Sequence, residues 1–156
     1  MQQKETTNDG EFTELNDVPN AGRILALDPG TKRVGVAICD ELRMTTRPLE
    51  LITRESWKKL LIHVQALLRE FDAKALVIGL PLESDGSESE MSTHARDLAR
   101  KFSLSLDVPV FLQDERNTSY AAKSNLWGRG VGLKDSRRLV DSEAAAIILS
   151  DFLSRL

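Results

Sequence analysis

The sequence predicts an α/β domain: a mixed five-stranded sheet flanked by helices. Short apolar runs bounded by turn residues are typical of buried strands, and they are followed by segments with apolar residues at intervals of three and four, as in helices. The order in which the two patterns occur, three strands and then helices alternating with two more strands, favours a mixed sheet. A chain of 156 residues is long enough for one domain, which excludes two-domain nucleotide machines and large barrels.

The predicted sheet begins with three consecutive strands. Residues 23–28 and 34–39 are apolar runs separated by a polar turn at 29–33, which predicts a β-hairpin. A third strand is expected over about residues 45–52. Pro48 lies within it and has no N–H to donate, so this strand is expected at a sheet edge or at a bulge.

The rest of the chain alternates between helical and strand patterns. Ser56 is the predicted N-cap of the first helix because its hydroxyl can accept a hydrogen bond from a free N–H of the first turn. In order, the predicted elements are a helix over residues 57–71, a strand over 75–80, a helix over 91–102, a strand over 108–113, a helix near 117–127 and a last helix from about 135 to the end.

Residues 1–21 are predicted to form a disordered acidic tail, and residues 22–156 a single domain. The first 20 residues are polar, without helical or strand periodicity, and hold one lysine against five acidic residues. The chain as a whole carries a charge of −3, which at first argues against a phosphate-rich partner, but this acidity belongs to the tail. Residues 116–138 instead hold six Lys or Arg and one Asp, which predicts contacts with phosphates; a solvated helix face is the alternative.

Compartment signals in the sequence are few and consistent. No apolar run approaches the roughly 18 residues of a membrane span, and the N-terminus lacks the basic and apolar regions of a secretory signal. The single cysteine, Cys39, excludes an intrachain disulfide and fits a reducing compartment. We therefore expect a cytoplasmic protein without a membrane partner.

Three carboxylates occupy positions where chemistry is expected. Asp28 ends the first strand, Glu115 follows the fifth, and Asp141 lies near the start of the last helix. Ligands bind outside the strand ends of open α/β sheets, so Asp28 and Glu115 would meet if their strands are parallel neighbours. Converging carboxylates need a cation, and oxygen ligands favour Mg²⁺ or Mn²⁺. The alternative is that each acid is a turn, cap or surface residue.

Four segments in order strongly resemble the YqgF/RuvX family. They are residues 22–40 with the Asp-Pro-Gly turn at 28–30, residues 76–82 followed by Asp-Gly-Ser at 85–87, residues 113–119 with Asp-Glu-Arg, and residues 140–146 with Val-Asp-Ser-Glu-Ala-Ala. The family is described as Holliday-junction resolvases and as nucleases that mature the 5′ end of pre-16S ribosomal RNA, on an RNase H-like fold. The resemblance covers residues 22–156.

The resemblance implies a catalytic and metal-binding set made of Asp28, Glu115 and Asp141. Asp114 and Glu143 belong to the same neighbourhood. With Mg²⁺ or Mn²⁺, two ions about 3.5–4 Å apart can activate a water on one side of a phosphorus and stabilise the leaving oxygen on the other. The residues expected to position phosphates are Lys32, Arg33, Arg116, Arg137 and Arg138.

We therefore predict a metal-dependent nuclease that acts in 5′-end maturation of pre-16S ribosomal RNA, as a monomer or homodimer. One alternative is a Holliday junction resolvase acting on branched DNA, which would ordinarily need a symmetric dimer. Asp28-x-Gly30-Thr31 also resembles the phosphate motif of actin-like kinases, although these need two such domains. A nucleic-acid-binding scaffold without catalysis is the third alternative.

Overall fold

A computed structural model describes the backbone of residues 4–7, 10–115 and 133–156, and the side chains of residues 15, 17–115 and 142–156. In chain order the described strands and helices are β1 (Lys4–Thr7), β2 (Gly10–Glu14), β3 (Ile24–Pro29), β4 (Arg33–Cys39), β5 (Thr46–Thr53), α1 (Trp57–Glu70), β6 (Ala75–Leu80), α2 (Glu90–Ser105), β7 (Val110–Asp114) and α3 (Leu133–Leu153). The helix predicted near residues 117–127 lies outside the described residues.

The main sheet has five strands in the order β5-β4-β3-β6-β7. The first three strands are connected by hairpins and pair antiparallel, whereas β6 and β7 are parallel to β3. Parallel strands need a long crossover connection, and α1 and α2 provide it before β6 and β7. The predicted mixed five-stranded sheet is confirmed, and β5, with Pro48 opposite Ala37, is the predicted edge strand.

The structure places β6 between β3 and β7, so the strands that carry Asp28 and Glu115 are not neighbours. The strands are parallel, but the condition that they be neighbours, on which the predicted meeting of the carboxylates depended, is not fulfilled. All six residues of β6 are buried, as expected for a central parallel strand that is covered on both faces. A chain with this order has to bring Glu115 across β6 if the two carboxylates are to meet.

The sheet has a hydrophobic cluster on each face. On one face α1 and α2 cover the sheet, and Trp57 contacts Phe102 edge to face with 4.8 Å between ring centroids. On the other face α3 covers it, and Phe152 packs at 5.4 Å from Phe111. Successive side chains of a strand point to opposite faces of the sheet, so one strand can contribute residues to both clusters.

Serine residues are the N-caps of α1 and α2, the two helices on the first face of the sheet. The predicted cap is confirmed, because Ser56 accepts a hydrogen bond from the N–H of Lys59. Ser89 and Ser92 form a reciprocal capping box at the start of α2. Within the described part of the chain, no helix is long and apolar enough to cross a bilayer.

The segment before β3 differs from the predicted tail at residues 15–20. Val18 is buried in the cluster under α3, and Leu15 packs against that cluster. The guanidinium of Arg43 donates hydrogen bonds to Pro19 O at 2.6 Å and to Gly22 O at 2.9 Å, which ties this segment to the β4–β5 turn. β1 and β2 form a separate antiparallel pair.

We expect Phe102→Ala to destabilise the protein by about 3–5 kcal/mol, because it leaves a cavity beside Trp57 where the two helices meet the sheet. Leu104 lies two residues further along α2 and is 80% exposed. Leu104→Ala is the matched control and should change the free energy of unfolding by less than about 0.5 kcal/mol. Urea unfolding measures both. Equal effects of the two substitutions would contradict this description of the core.

Candidate active site

Asp28 lies at the end of β3, where the chain enters a tight turn. It pairs with Gly35 of β4, and Leu27 before it pairs with Ile78 of β6. The turn closes with a hydrogen bond from Gly30 N to Arg33 O at 2.9 Å. A Cβ added to Gly30 would lie 2.6 Å from that oxygen, so a larger residue cannot occupy this turn without movement of the backbone.

Glu115 follows β7 and turns back across the end of β6. Its N–H donates to Leu80 O at 3.1 Å, which holds its backbone beside that strand. A Cβ built on Gly79 would lie 2.1 Å from Glu115 Oε2 and 2.7 Å from Ile148 Cδ1. The missing side chain of Gly79 therefore makes the space through which Glu115 passes over β6 towards Asp28.

The Asp28 and Glu115 carboxylates contact each other through a hydrogen bond. Burial first, then the negative charge of Asp28 and this hydrogen bond, and finally the charge of Asp114, raise the pKa of Glu115 far above its usual range. Glu115 Oε2 is shielded from solvent and has no hydrogen-bond partner. Two carboxylates in this arrangement need a proton or a cation between them.

The donor set at this position fits a divalent cation. Both groups are hard oxygen donors, a class that favours Mg²⁺ or Mn²⁺ over the softer transition metals. A cation would also give Glu115 Oε2 the partner that it lacks. Among the described side chains no group of three His, Cys, Asp or Glu is placed to hold a metal ion, and the side chain of Asp141, the third predicted ligand, is not among them.

Ser142 fixes α3 against the sheet close to Asp28. The N–H of Val36 donates to Ser142 Oγ at 3.3 Å, and Ser142 is only 1% exposed. This contact lies where the β4–β5 pairing shifts register between Val34 and Val36. Because Val36 directly follows Gly35, the cross-strand partner of Asp28, the helix position of Asp141 lies close to the Asp28 end of the sheet.

The side chains of the two other predicted acids, Asp114 and Glu143, are also described. Asp114, at the end of β7, is half-buried and contributes to the electrostatic environment of Glu115. Glu143 is a buried residue of α3, only 6% exposed. Gln113 of β7 makes two side-chain hydrogen bonds. Its Oε1 accepts from Arg155 Nη1 at 2.5 Å, and its Nε2 donates to Asp114 O at 3.3 Å. These bonds brace the strand end that carries Glu115.

Among the predicted phosphate-positioning residues, Lys32 and Arg33 are exposed on the turn that follows Gly30. Arg54 supports this turn, since its backbone N–H donates to Lys32 O at 2.9 Å and its Nη1 donates to Gly30 O at 3.2 Å. Arg116 lies outside the described residues. Arg137 and Arg138 belong to α3, but their side chains are outside the described part of the structure.

Sequence reasoning did not identify three features of this site. Gly79 lies near the end of a predicted strand, and the sequence gives no sign of which side chain passes over it. Ser142 is a lone hydroxyl beside an apolar helix stripe, which is a signal for a buried polar contact. Arg54 and His94 lie 40 residues apart in the chain, and only the tertiary structure brings them together.

We expect Gly79→Ala to displace the Glu115 carboxylate and so to weaken Mn²⁺ binding by roughly tenfold or more. The added methyl group should also lower the free energy of unfolding by about 1–3 kcal/mol, because it overpacks the site. A bound ion stabilises the folded state, so Mn²⁺ should raise the melting temperature of the wild-type chain and do so much less in the variant. Val77→Ala is the control: it lies in the same buried strand and should lower the melting temperature while the Mn²⁺-dependent rise is retained. An undiminished rise in Gly79→Ala would refute this role.

Ser142→Ala should cost about 1–3 kcal/mol of stability, because the buried Val36 N–H loses its acceptor. Ser150→Ala is the matched control in the same helix, at an exposed position, and should be near neutral. Chemical unfolding of both variants, followed by circular dichroism, measures the difference. If Ser142→Ala is as stable as Ser150→Ala, the hydrogen bond does not hold α3 in place.

Known proteins similar to this chain were found by sequence. A family model described as "RuvX: Holliday junction resolvase" matches residues 22–155. The chain is 39% identical over 133 residues to a protein of Anaeromyxobacter dehalogenans named "Putative pre-16S rRNA nuclease". The aligned residues cover 85% of this chain and 97% of that protein. A protein of the same name from Thiobacillus denitrificans is 39% identical over 138 residues, or 88% of this chain and 95% of the relative.

Similar solved structures agree in fold. RuvC of T. thermophilus, in complex with a Holliday junction substrate, aligns with a TM-score of 0.56 at 19% identity, over 86% of this chain and 95% of that one. The fowlpox virus Holliday junction resolvase aligns with a TM-score of 0.51 at 13% identity, over 86% and 99%. These likenesses confirm the RNase H-like fold. The family match over residues 22–155, together with the relatives that are 39% identical over most of the chain, establishes that the chain belongs to the YqgF/RuvX family.

Proposed function

We propose that this protein is a metal-dependent nuclease that hydrolyses phosphodiester bonds during 5′-end maturation of pre-16S ribosomal RNA. The observation that carries the proposal is the contact between the Asp28 and Glu115 carboxylates at the strand ends, where Glu115 Oε2 is buried without a hydrogen-bond partner. Membership of the YqgF/RuvX family and the names of the relatives support the choice of substrate.

Asp28, Glu115 and Asp141 would hold Mg²⁺ or Mn²⁺, two ions in this proposal. When bound, such ions supply positive charge at the attacking water and at the leaving oxygen of the phosphodiester. The chain's own contribution is placement: the β3 turn holds Asp28, the open space at Gly79 admits Glu115, and the Ser142 hydrogen bond seats the helix that carries Asp141. Water is the nucleophile, so no side chain needs to form a covalent intermediate.

Basic residues would hold the substrate's phosphates around this centre. Lys32 and Arg33 are exposed on the turn that begins two residues after Asp28. Arg116 directly follows Glu115 in the chain, and Arg137 and Arg138 precede Asp141 by about one helical turn. We propose that these five residues contact the sugar-phosphate backbone, which orients the strand without reading its sequence. The proposed location is the cytoplasm, with precursor ribosomal RNA as partner.

Asp28→Asn should abolish cleavage that depends on Mg²⁺ or Mn²⁺ while leaving the fold intact, because the amide keeps the side-chain shape but removes the negative charge. A precursor RNA spanning the 5′ end of 16S ribosomal RNA, labelled at its 5′ end, reports cleavage by gel electrophoresis. Glu70→Gln removes an exposed carboxylate at the end of α1 and is the control that should retain full activity. Undiminished cleavage by Asp28→Asn would overturn the proposal.

The second candidate function is Holliday junction resolution, which the description of the matching family model favours. Its chemistry would use the same carboxylates on four-way DNA. Comparing cleavage of a synthetic four-way junction with that of the precursor RNA, at equal protein and Mn²⁺ concentrations, separates the two. A preference for paired, symmetric incisions in the junction would favour resolution, whereas a single cut in the RNA favours maturation.

A further inference from the structure

We propose that a cleft beside the candidate active site binds one unpaired nucleobase of the substrate strand, an inference that rests on the proposed nuclease function. The cleft has a volume of about 490 Å³, within the range of small-molecule sites. It is bounded by the turn after β3, the chain between β5 and α1, and the first turns of α2. Its lining residues are Thr31, Arg54, Glu55, Glu90, Met91 and His94.

The position of the cleft suits a base close to the bond that is cut. Thr31 is three residues from Asp28, so the two lie within about 11 Å of each other. Arg54 donates to Gly30 O, in the turn between them, and its backbone N–H donates to Lys32 O. A strand whose phosphates contact exposed Lys32 would therefore run alongside the cleft, about one or two nucleotides from the metal-binding carboxylates.

The mixed chemistry of the lining favours a base over a phosphate. Arg54 is a hydrogen-bond donor, but Glu55 and Glu90 bring two carboxylates that would repel a phosphate. Even though Lys59, at 2.6 Å, offsets the charge of Glu55, Arg54 is still balanced by Glu90, so the lining has no cationic excess. The edge of a nucleobase carries both donors and acceptors, so it can use guanidinium and carboxylate groups together.

Two side chains in the cleft offer flat surfaces on which a base can stack. Arg54 is held between Gly30 O and His94 Nε2, which restrains its guanidinium plane before any ligand arrives. His94 accepts this hydrogen bond with Nε2, which requires a neutral ring; burial first, then the charge of Arg54, lower the pKa of His94 accordingly. Unpaired bases stack on arginine and histidine planes in RNA-binding proteins, and the flexible thioether of Met91 can adapt to the remaining face.

The test combines abasic substrates with variants of the cleft. A labelled precursor RNA is prepared with a single abasic nucleotide at each of the positions flanking the cleavage site. With the wild-type chain, one abasic position within about two nucleotides of the cut should lower kcat/KM by roughly tenfold, as expected for the loss of one stacked base. In His94→Ala and in Met91→Ala, kcat/KM for the intact RNA should fall by most of that factor. The abasic substitution should then lower kcat/KM little further.

Thr93→Ala is the matched control, since Thr93 adjoins His94 in α2 but is exposed and does not line the cleft. It should behave as wild type at every abasic position. Two variants are used so that a failure of one to fold, detected by its thermal unfolding, leaves the other as the test. Binding of the same RNAs to Asp28→Asn, with and without Met91→Ala, gives a second readout by fluorescence anisotropy, independent of cleavage.

The inference is overturned if no abasic position affects the wild-type chain, or if His94→Ala and Met91→Ala keep the full abasic penalty. Its failure is distinguishable from failure of the proposed function. If the wild-type chain cleaves and Asp28→Asn does not, the nuclease proposal stands whatever the cleft does. If Asp28→Asn cleaves normally, the nuclease proposal fails and this inference fails with it.

Discussion

The candidate active site depends on the passage of the Glu115 side chain over Gly79 to reach Asp28. The two carboxylates come from strands separated by β6, and their contact is possible because β6 has a glycine at the crossing point. Without a cation this contact is unfavourable, since two acidic groups are pressed together in a partly dry environment. The surrounding sheet, with every residue of β6 buried, supplies the packing that holds the groups in place. The carboxylate pair thus lies on a rigid support, as the proposed metal site would require.

The helix that covers the second face is anchored beside the Asp28 end of the sheet. α3 is seated by apolar contacts with Phe111 and by the hydrogen bond from Val36 N to Ser142 Oγ. That bond falls at an irregularity of the β4–β5 ladder, where a backbone N–H is satisfied by a helix side chain. The opposite face, under α1 and α2, is apolar and carries the cleft only at its rim, where Arg54 bridges to His94. Catalytic placement and base contacts would therefore be handled by opposite faces of one sheet, which meet at the turn after β3.

The local elements of the fold were predictable because they follow from local patterns. The hairpin of β3 and β4, the edge position of β5 marked by Pro48, and the Ser56 cap all depend on residues a few positions apart, and all are confirmed. The relation between Asp28 and Glu115 could not be derived in the same way. Their strands are not the neighbours that the predicted meeting required, yet the residues do meet, because the glycine at position 79 of the intervening strand leaves room for Glu115. The role of Asp141 rests on the family resemblance, and the roles of Arg116, Arg137 and Arg138 rest on the basic charge of residues 116–138; all of them remain predictions.

The sequence by itself determined the class of the domain, the limits of its main elements, its family and the candidate acids at the strand ends. These follow from periodicity, turn chemistry and motifs, which are properties of short segments. Only the tertiary structure decided that β6 separates the two strands, that Gly79 opens the way for Glu115, that Ser142 anchors α3 and that Arg54 meets His94. Each of these is a contact between residues that are distant in the chain. Such contacts depend on how the layers pack, and no local pattern of residues encodes the distance between two side chains brought together from opposite ends of a fold.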